Sequence, residues 1–565
     1  MKKISRRQFI KRSAKTGLAV GVLSPLGGKS IFSSPNRFDL IIKNVQIVDG
    51  MNQEPYQADI GIVSDFITAI GELSKASSKL VIDGKGKVAA PGFIDIHSHT
   101  DTALLINPRA ESKIRQGVTT ELGGNCAHSP FPRKTPRSPQ YKGMEKDLSA
   151  KFDWTDLEGY HSAMEKNGIA NNHATLVGQG TIRHYVMNDD PNKPTSQQME
   201  AQKKLVAEAM SQGAFGLSTG LEYIPSRFAD KDELIELCKV VAEYGGIYAT
   251  HTRSEDVNLM EAVAEAIHIA ESAGLPLQIS HLKAAGQSNY YKIPLVFDLL
   301  ERTKDRGLDV TADRYPYRAY STTLNIMFPR WAVAGGSEKF VERLKDKDLR
   351  QKMKEEALKK TEGNNGYSSM LITHVNNEKN SHLVGKYIQE AADEANKDAY
   401  EFACDLLISE GGSLSITGFG MGEENTEKVL KHPLVMLCSD GSAIAPYGPL
   451  NREMPHPRNY GAFPRFLRLY MREKKIVTLP EAIHKMAAMP AKKLGLKKRG
   501  VIEKGNYADI VIFDKDEIAD RATYLKPKVY PVGIDYVLVN GKVVVDHGEH
   551  TGVLSGKVLH GPGKK

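Results

Sequence analysis

The sequence predicts an α/β protein, a (β/α)8 barrel of the TIM type with a small β-sandwich domain formed from both termini. Apolar strand candidates alternate with helical periodicity across residues 91–496, as is typical of parallel α/β folds. The strand candidates number eight, near residues 94, 120, 176, 216, 249, 279, 311 and 437, which is the number that closes such a barrel. The sandwich is predicted from β-rich stretches in residues 35–90 and 497–558.

Residues 1–34 resemble an export signal of the twin-arginine type. The stretch SRRQFIK at residues 5–11 precedes an apolar run at residues 17–26, which is the order that such signals have. The apolar run is too short to remain as a membrane-spanning helix. We therefore expect the twin-arginine export machinery as a partner and a periplasmic location, without a stable membrane span.

The net charge of +8 comes from this same segment, which holds eight Lys and Arg residues and no Asp or Glu. The whole chain has 76 Lys and Arg residues. Without these eight it has 68, which equals its number of Asp and Glu residues. A body with balanced charge has no overall attraction for polyanions. No nucleic-acid partner is therefore expected.

The β-rich stretches consist of short strand candidates separated by turns. Residues 40–42, 45–48 and 60–62 form the first set, and residues 508–513, 536–539 and 543–545 form the second. Asn540-Gly541 is typical of a two-residue hairpin turn. Because the two stretches flank the central body, we expect them to assemble into one domain.

Helical spacing of apolar residues marks segments 205–210, 234–244 and 257–270, which lie between strand candidates. Two long segments exceed ordinary loop length. Residues 129–150, rich in Pro, Lys and Arg, are predicted to be a surface loop. Residues 330–430 separate the last two barrel strands, and we expect two or three helices there, such as residues 390–409, forming a lid or a wall of the substrate site.

A series of polar residues follows the predicted barrel strands. His97 and His99 stand two residues apart, so both imidazoles point to one face of an extended strand. Each residue taken alone would be an ordinary buried or turn residue, but active sites of barrels lie at the carboxyl ends of the strands. Imidazole and thiolate ligands favour zinc over magnesium or calcium. The sequence therefore predicts a zinc site formed by His97, His99, Cys126, His251, His281 and Asp440.

Bound zinc acidifies a water molecule and polarises a carbonyl group. A carboxylate beside that water can accept its proton and pass it to a leaving group, and Asp440 is the candidate for this role. The other cysteines are Cys238, Cys404 and Cys438. Cys238 and Cys404 lie in apolar helical segments and are interpreted as structural.

With these residues in view, the chain resembles the amidohydrolase superfamily, and within it the N-acyl-D-amino-acid deacylases (D-aminoacylases). The resemblance runs from about residue 37 to residue 558. It is carried by the motifs PGFIDIHSHTD (91–101), GVTTELGGNC (117–126), LVGQGTIR (176–183), GLSTGLEYIPS (216–226), THTRSE (250–255), SHLK (280–283), YPY (315–317), SDG (439–441) and HPRNYGAFPR (456–465).

The resemblance implies zinc-dependent hydrolysis of the amide bond of N-acyl-D-amino acids, giving a carboxylate and a free D-amino acid. It implies one tight zinc on Cys126, His251 and His281. It also implies a weaker second metal position on His97, His99, Cys126 and Asp440. The substrate is expected to be a small molecule with a free carboxylate, which the family holds with residues matching Lys283, Tyr315 and Arg458. A guanidinium, an ammonium and a phenol are suitable partners for a carboxylate.

Three positions depart from the family's pattern. Tyr320 stands where glycine is usual, His128 follows the cysteine motif, and Cys438 replaces a glycine before SDG. These changes border the predicted substrate pocket and leave substrate identity open. The alternatives are a dipeptidase acting on a C-terminal D-residue, a cyclic amidase on the same scaffold, and a binding protein without catalysis.

Overall fold

The computed structural model describes residues 37–134 and 152–564. The proposed export signal and most of the predicted loop at 129–150 lie outside these residues. The strands are β1 Arg37–Ile47, β2 Tyr56–Val63, β3 Phe66–Gly71, β4 Ser77–Asp83, β5 Val88–Pro91, β6 Phe93–Asp95, β7 Val118–Gly123, β8 Asn172–Thr175, β9 Val177–Gly178, β10 Gly216–Gly220, β11 Ile247–His251, β12 Leu277–Ile279, β13 Val310–Arg314, β14 Tyr320–Thr323, β15 Met370–His374, β16 Ser415–Gly418, β17 Val435–Leu437, β18 Ile510–Phe513, β19 Ile534–Val539, β20 Lys542–Asp546 and β21 Glu549–His550.

The α-helices of the described residues are Ala103–Ile106, Glu111–Ile114, Leu157–Asn167, Gln179–Met187, Ser196–Gln212, Lys231–Glu243, Leu259–Ala273, Lys292–Asp305, Arg330–Val333, Gly336–Lys345, Lys347–Gly363, Ile388–Glu394, Ala399–Ser409, Glu423–Lys431, Arg458–Arg465, Leu479–Met486 and Ala488–Lys493. A π-helix, Phe466–Glu473, continues from Arg458–Arg465. Within the described part of the chain, no helix has the length and apolar character needed to cross a bilayer.

Eight parallel barrel positions form a closed ring, as the sequence predicts. Strands β9 to β13 and β17 make one parallel run and β6 to β8 make another. The two runs meet at Leu176, the one residue between β8 and β9. They also meet at a parallel bridge between Ser98 and Gly441. Strands such as β10 and β11 are buried along their whole length, as expected where helices cover a parallel sheet.

The helices of the ring begin and end where local chemistry dictates. Thr195 caps the helix Ser196–Gln212, because its side chain accepts a hydrogen bond from the backbone N–H of Gln198. The side chain of Gln198 in turn accepts a hydrogen bond from the backbone N–H of Thr195. The helix ends at Gly213, whose φ of 111° lies in the left-handed region that glycine adopts without strain. The helix is followed by β10, which places the chain back in the barrel wall.

A second sheet combines strands from both ends of the chain. Its order is β21-β20-β19-β18-β5-β1-β2-β3, and β4 pairs with the first half of β1. The predicted strands at 40–42 and 45–48 are one strand, β1, with an irregularity in its pairing between Ile42 and Val45. Side chains from β1 to β5, β18 and β19 share one apolar cluster, an arrangement typical of a β-sandwich.

The insertion between the last two barrel strands is richer in structure than expected. Instead of two or three helices, residues 330–430 contain six, and the helix expected at 390–409 is two helices. The break contains Asn396, whose φ is 50°, and Asp398 caps the next helix by accepting from the N–H of Glu401. The insertion also supplies β15 and β16, and β16 pairs with both β14 and β15 in a three-stranded sheet.

Candidate active site

All six candidate metal ligands lie at the carboxyl ends of barrel strands. Each is the last residue of its strand or follows it within four residues: His97 and His99 after β6, Cys126 after β7, His251 at the end of β11, His281 after β12 and Asp440 after β17. The ring closure brings β6 beside β17, because the backbone N–H of Asp440 donates to the carbonyl of His97 over 2.9 Å. Residues far apart in sequence therefore surround one point.

Cys126, His251 and His281 form one converging group. The Sγ atom of Cys126 lies 3.5 Å from Nε2 of His281 and 3.9 Å from Nδ1 of His251. Those two nitrogens are 3.0 Å apart. A thiolate and two imidazoles gathered in this way are a suitable set of ligands for zinc.

His97, His99 and Asp440 form a second group that shares the same thiol. Nε2 of His97 lies 3.4 Å from Sγ of Cys126 and 3.5 Å from Oδ1 of Asp440. Nε2 of His99 lies 3.0 Å from the same Oδ1. Both groups meet at Cys126, so its sulfur is placed where it could bridge two ions.

Three carboxylates lie beside the outward-facing nitrogens of these histidines, and the sequence analysis missed all three. Asp313 lies 3.4 Å from Nδ1 of His97, Glu255 lies 2.9 Å from Nδ1 of His281, and Glu222 lies 3.3 Å from Nε2 of His251. Carboxylates in this position fix the tautomer and orientation of metal-binding imidazoles. With a carboxylate beside each outward nitrogen, the inward nitrogens are available as lone-pair donors, so this donor set fits a zinc ion.

Sequence signals exist for two of these carboxylates. Glu255 is four residues after His251 in the motif THTRSE, and Asp313 is a charged residue inside a buried strand, β13. For Glu222, no neighbouring residue in the sequence indicates the role. Besides His251, it pairs with Lys360, which lies 3.0 Å away and comes from the distant insertion.

The backbone is strained at three of the candidate ligands. Cys126, His281 and Asp440 have φ values of 50°, 33° and 49°. Residues other than glycine seldom adopt this left-handed region. Such conformations persist where the surrounding structure enforces them, and they concentrate at functional sites.

The electrostatic setting keeps two of the groups ionised. Burial alone favours a neutral thiol, but electrostatic interactions with His97 and His281 lower the pKa of Cys126 well below its usual value. Burial likewise favours a neutral Asp440, yet the positive charge of Arg458 holds the pKa of this carboxyl well below its usual range. Asp440 is therefore a carboxylate that can accept a proton.

The three predicted substrate-binding residues lie together beside this centre. The Arg458 guanidinium carbon is 4.8 Å from the centroid of the Tyr315 ring, and Nζ of Lys283 is 6.0 Å from it. Nη1 of Arg458 donates to Oδ2 of Asp440 over 2.5 Å, and Lys283 donates to Glu255. The Tyr315 hydroxyl is buried and has no hydrogen-bond partner among the described residues.

The candidate ligands open onto a cavity of about 490 Å³, lined by residues that include His99, Cys126, His281 and Asp440. A recess of about 40 Å³ adjoins it and contains Lys283, Tyr315 and Tyr320. The insertion walls both spaces, with Phe340 in the larger one and Lys360 in the recess. These contacts place the insertion at the rim of the site.

The three positions that depart from the family pattern have different surroundings. His128 lines the larger cavity and Tyr320 lines the recess. The Tyr320 ring lies against Gly418 and Gly420, where a Cβ atom would come within 2.3 and 2.9 Å of it. Cys438 is fully buried and lines neither cavity, and burial together with Asp313 raises the pKa of its thiol.

A buried ion-pair network supports the loop that carries Asp440. Nζ of Lys113 lies 2.6 Å from Oδ2 of Asp95 and 3.8 Å from Oε2 of Glu121. It also donates to Oγ of Ser439 over 2.5 Å and to the carbonyl of Gly441 over 3.0 Å. The lysine therefore ties the end of β17 to β6 on both sides of Asp440.

Most of the chain is similar to known amidohydrolases. The model of the Amidohydrolase family matches residues 80–329 and 413–545. The chain is 34% identical to a D-aminoacylase from Alcaligenes xylosoxydans xylosoxydans, over 93% of this chain and 98% of that protein.

Two solved structures are similar over 93% of this chain and 100% of theirs. One is an N-acyl-D-glutamate deacylase from Bordetella bronchiseptica, in complex with zinc and a phosphonate that mimics the tetrahedral intermediate, with 30% identity and a TM-score of 0.78. The other is a D-aminoacylase described by its binuclear metal centre, with 32% identity and a TM-score of 0.77.

Proposed function

This chain belongs to the amidohydrolase family, and we propose that it is a zinc-dependent enzyme that hydrolyses the amide bond of N-acyl-D-amino acids. The products are a carboxylate and a free D-amino acid. The observation that carries the proposal is the convergence of Cys126, His251 and His281 beside Asp440, on a cavity whose recess contains Lys283 and Tyr315.

We assign the tight zinc position to Cys126, His251 and His281. A weaker position would use His97, His99 and Asp440 together with the shared thiolate. Zinc, when bound, supplies an acidified water and a Lewis acid for the substrate carbonyl. The carboxylates behind the histidines keep the ligand nitrogens pointed at the ion.

Asp440 moves the proton in this proposal. Its Oδ1 faces His97 and His99, whereas its Oδ2 is held by Arg458. Because the nearby positive charges keep it ionised, it can accept the proton of the attacking water and deliver it to the departing nitrogen. The grip of Arg458 fixes the carboxylate in orientation for both transfers.

Lys283, Tyr315 and Arg458 hold the substrate's carboxylate in this proposal. The Tyr315 hydroxyl, buried without a partner, can donate to an anionic oxygen. Lys283 and Arg458 add positive charge beside the phenol ring. Charge-assisted hydrogen bonds of this kind are roughly twice as strong as neutral ones.

The test is amine release from paired N-acetyl-D and N-acetyl-L amino acids by the zinc-loaded protein, with a chelated sample as the control. We expect release from the D series alone, lost on chelation and restored by zinc. Release from neither series, with zinc still bound, would contradict the proposal. Metal analysis and titration with zinc would count the ions and separate a tight site from a weaker one.

One observation favours a second candidate function, that of a dipeptidase acting on a C-terminal D-residue. The cavity of about 490 Å³ is far larger than an acetyl group requires, and its lining includes polar groups such as Asn325 and Ser337. An aminoacyl group would fit such a space. Comparing Gly-D-Ala with N-acetyl-D-Ala as substrates distinguishes the two functions.

We also propose that the protein is exported through the twin-arginine machinery to the periplasm. The support is the sequence of residues 5–26, in which a pair of arginines precedes a short apolar run. Replacing Arg6 and Arg7 together by lysine should keep the protein in the cytoplasm, as measured by fractionation. Export of that double variant at the normal level would contradict the proposal.

A further inference from the structure

A second cavity, of about 830 Å³, lies at the amino ends of two barrel strands. Val310, the first residue of β13, and Leu434, directly before β17, both line it. Asp440 follows the other end of β17, so this amino-end cavity and the active site lie at opposite ends of the barrel. The volume falls within the roughly 300–1,000 Å³ that binding sites for small molecules occupy. The proposed hydrolysis does not use this cavity.

The lining of the amino-end cavity has an excess of positive charge. Besides His484, it contains five lysines and two carboxylates: Lys304, Lys431, Lys485, Lys492, Lys493, Asp309 and Glu481. Within the described residues, one of these lysines forms an ion pair, with Nζ of Lys493 at 3.1 Å from Asp309. Glu481 instead accepts from the backbone and the hydroxyl of Thr478, at the start of its own helix. Because residues 35–565 have balanced charge, the excess is local.

Two of these ammonium groups are buried at the starts of neighbouring strands. Lys485 is 5% exposed, and its Nζ donates to the carbonyls of His432 and Val435 over 2.5 and 2.9 Å. Lys493 is 7% exposed, and its Nζ donates to the carbonyl and Oδ1 of Asp309 over 3.0 and 3.1 Å. Asp309 precedes β13 and Val435 begins β17, and these two strands pair. An ammonium has three N–H groups, so each lysine retains one for a ligand.

The burial of these two cations is costly unless an anion compensates it. Burial lowers the pKa of Lys485 and that of Lys493 to about 8. Among the described residues, no carboxylate lies within ion-pair distance of Lys485, whose two partners are neutral carbonyls. A buried cation without a counter-ion loses hydration that carbonyl groups restore only in part. A carboxylate in the cavity could accept one charge-assisted hydrogen bond from each lysine.

The rest of the lining is largely apolar, which argues against a small inorganic anion as the full ligand. It includes Leu308, Val310, Leu434, Ile476, Val477 and Met489. An apolar chain would remove these side chains from water, and that burial is favourable. The cavity therefore suits a ligand with an anionic head and an apolar body.

We propose that the amino-end cavity binds a carboxylate that carries an apolar chain, a ligand of the medium-chain fatty acid class. The head lies against Lys485 and Lys493, and the chain lies along the apolar side chains. This binding goes beyond the proposed hydrolysis and requires neither zinc nor Asp440.

The experiment is isothermal titration calorimetry of the zinc-loaded full chain with decanoate. Two further probes separate the parts of the ligand. Decanol keeps the chain but not the charge and should bind at least about 10-fold more weakly. Acetate keeps the charge but not the chain and should bind at least about 100-fold more weakly, because the buried chain supplies the remaining affinity.

Two variants locate the site, and each is checked by thermal unfolding. Lys485→Met removes one cation and should weaken decanoate binding by about 10- to 100-fold. Ile476→Trp fills the cavity without changing its charge, and it should also weaken binding even if Lys485→Met fails to fold. The matched control is Lys339→Met, which removes an exposed lysine of the insertion and should bind decanoate as the wild type does.

Three results would overturn the proposal. The first is a wild type that does not bind decanoate. The second is a folded Ile476→Trp or Lys485→Met variant with unchanged affinity. The third is loss of decanoate binding in Arg458→Gln, because Arg458 lines the active-site cavity and decanoate would then occupy that site. Failure of amine release from N-acyl-D-amino acids would leave this proposal standing, since the titration does not depend on turnover.

Discussion

Two buried polar clusters adjoin the loop that carries Asp440, and they differ in how their polar groups are paired. In the first, the ammonium of Lys113 meets the carboxylates of Asp95 and Glu121, and all three side chains are fully buried. In the second, the sulfur of Cys126 and the inward nitrogens of the histidines point at one another. The first cluster matches its own charges, whereas the second gathers lone pairs that suit a cation.

The difference shows that buried charged groups serve either to hold the structure together or to bind a ligand. A buried ion pair whose members satisfy one another holds elements in place, and removing one member leaves the other uncompensated. Converging donors whose outer sides are held by Asp313, Glu255 and Glu222 are oriented toward a ligand instead. Substitutions in the first cluster should therefore affect stability most, and those in the second should affect activity most.

Asp440→Asn is expected to have the largest effect on activity. It removes the group that carries the proton, so kcat should fall by about 10²- to 10⁴-fold. The measurement is steady-state hydrolysis of an N-acyl-D-amino acid, alongside thermal unfolding. The control is Asp298→Asn, which removes an exposed carboxylate paired with Arg302. Unchanged turnover in Asp440→Asn would show that Asp440 does not carry the proton and that another group does.

Lys113→Met is expected to have the largest effect on stability. It leaves Asp95 and Glu121 buried without their cation, which should lower the free energy of unfolding by about 3–5 kcal/mol. Urea denaturation followed by fluorescence measures the change. Lys339→Met at an exposed position should shift it by less than about 0.5 kcal/mol. Equal midpoints for the two variants would show that the buried network adds little.

Glu255→Gln tests the second cluster at a carboxylate that lies beside one of its histidines. The carboxylate faces Nδ1 of His281 and accepts from Lys283, and glutamine keeps its shape but not its charge. Zinc affinity or kcat/KM should fall by about 10- to 100-fold, with a small change in stability. Competition for zinc with a chromophoric chelator measures affinity, and Glu271→Gln on the surface is the control. A variant with full affinity and full activity would argue that orientation by Glu255 is unimportant.

A smaller effect should come from two buried histidines outside the metal groups. Burial lowers the pKa of His161 to about 2 and that of His173 to about 3, whereas an unfolded histidine titrates near about 6.5. The unfolded state therefore binds more protons below that pH. The free energy of unfolding should decrease as the solution is acidified, by up to about 1.4 kcal/mol per pH unit for each histidine.

The replacement His161→Leu should reduce this slope, as measured by urea midpoints between pH 7 and pH 5. His547→Leu at an exposed position should not change it. A slope that is the same in all three proteins would mean that other groups control the acid response.

The barrel and the convergence of its candidate ligands were predictable because their signals are local. Buried strands ending in histidine, cysteine or aspartate can be recognised within a few residues, and the ring then brings them together. The role of Glu222 could not be predicted, because its partners are distant in the sequence. His251 is 29 residues away and Lys360 is 138 residues away. The sheet of β14, β15 and β16 was missed for the same reason, because short strands without periodic neighbours reveal themselves only by their pairing. The division of residues 390–409 depended on a single left-handed residue, Asn396.

The sheet formed from both ends has a consequence for the order in which the protein can be made. Strand β5 pairs with β18, so Val88 lies opposite Phe513, and more than four hundred residues separate them. During synthesis on a ribosome, strands β1 to β5 can pair with one another early, but the edge of β5 that pairs with β18 stays open until translation is nearly complete. Unpaired strand edges invite aggregation. A premature stop anywhere before residue 510 should therefore yield a chain that depends on chaperones and is degraded, however complete its barrel.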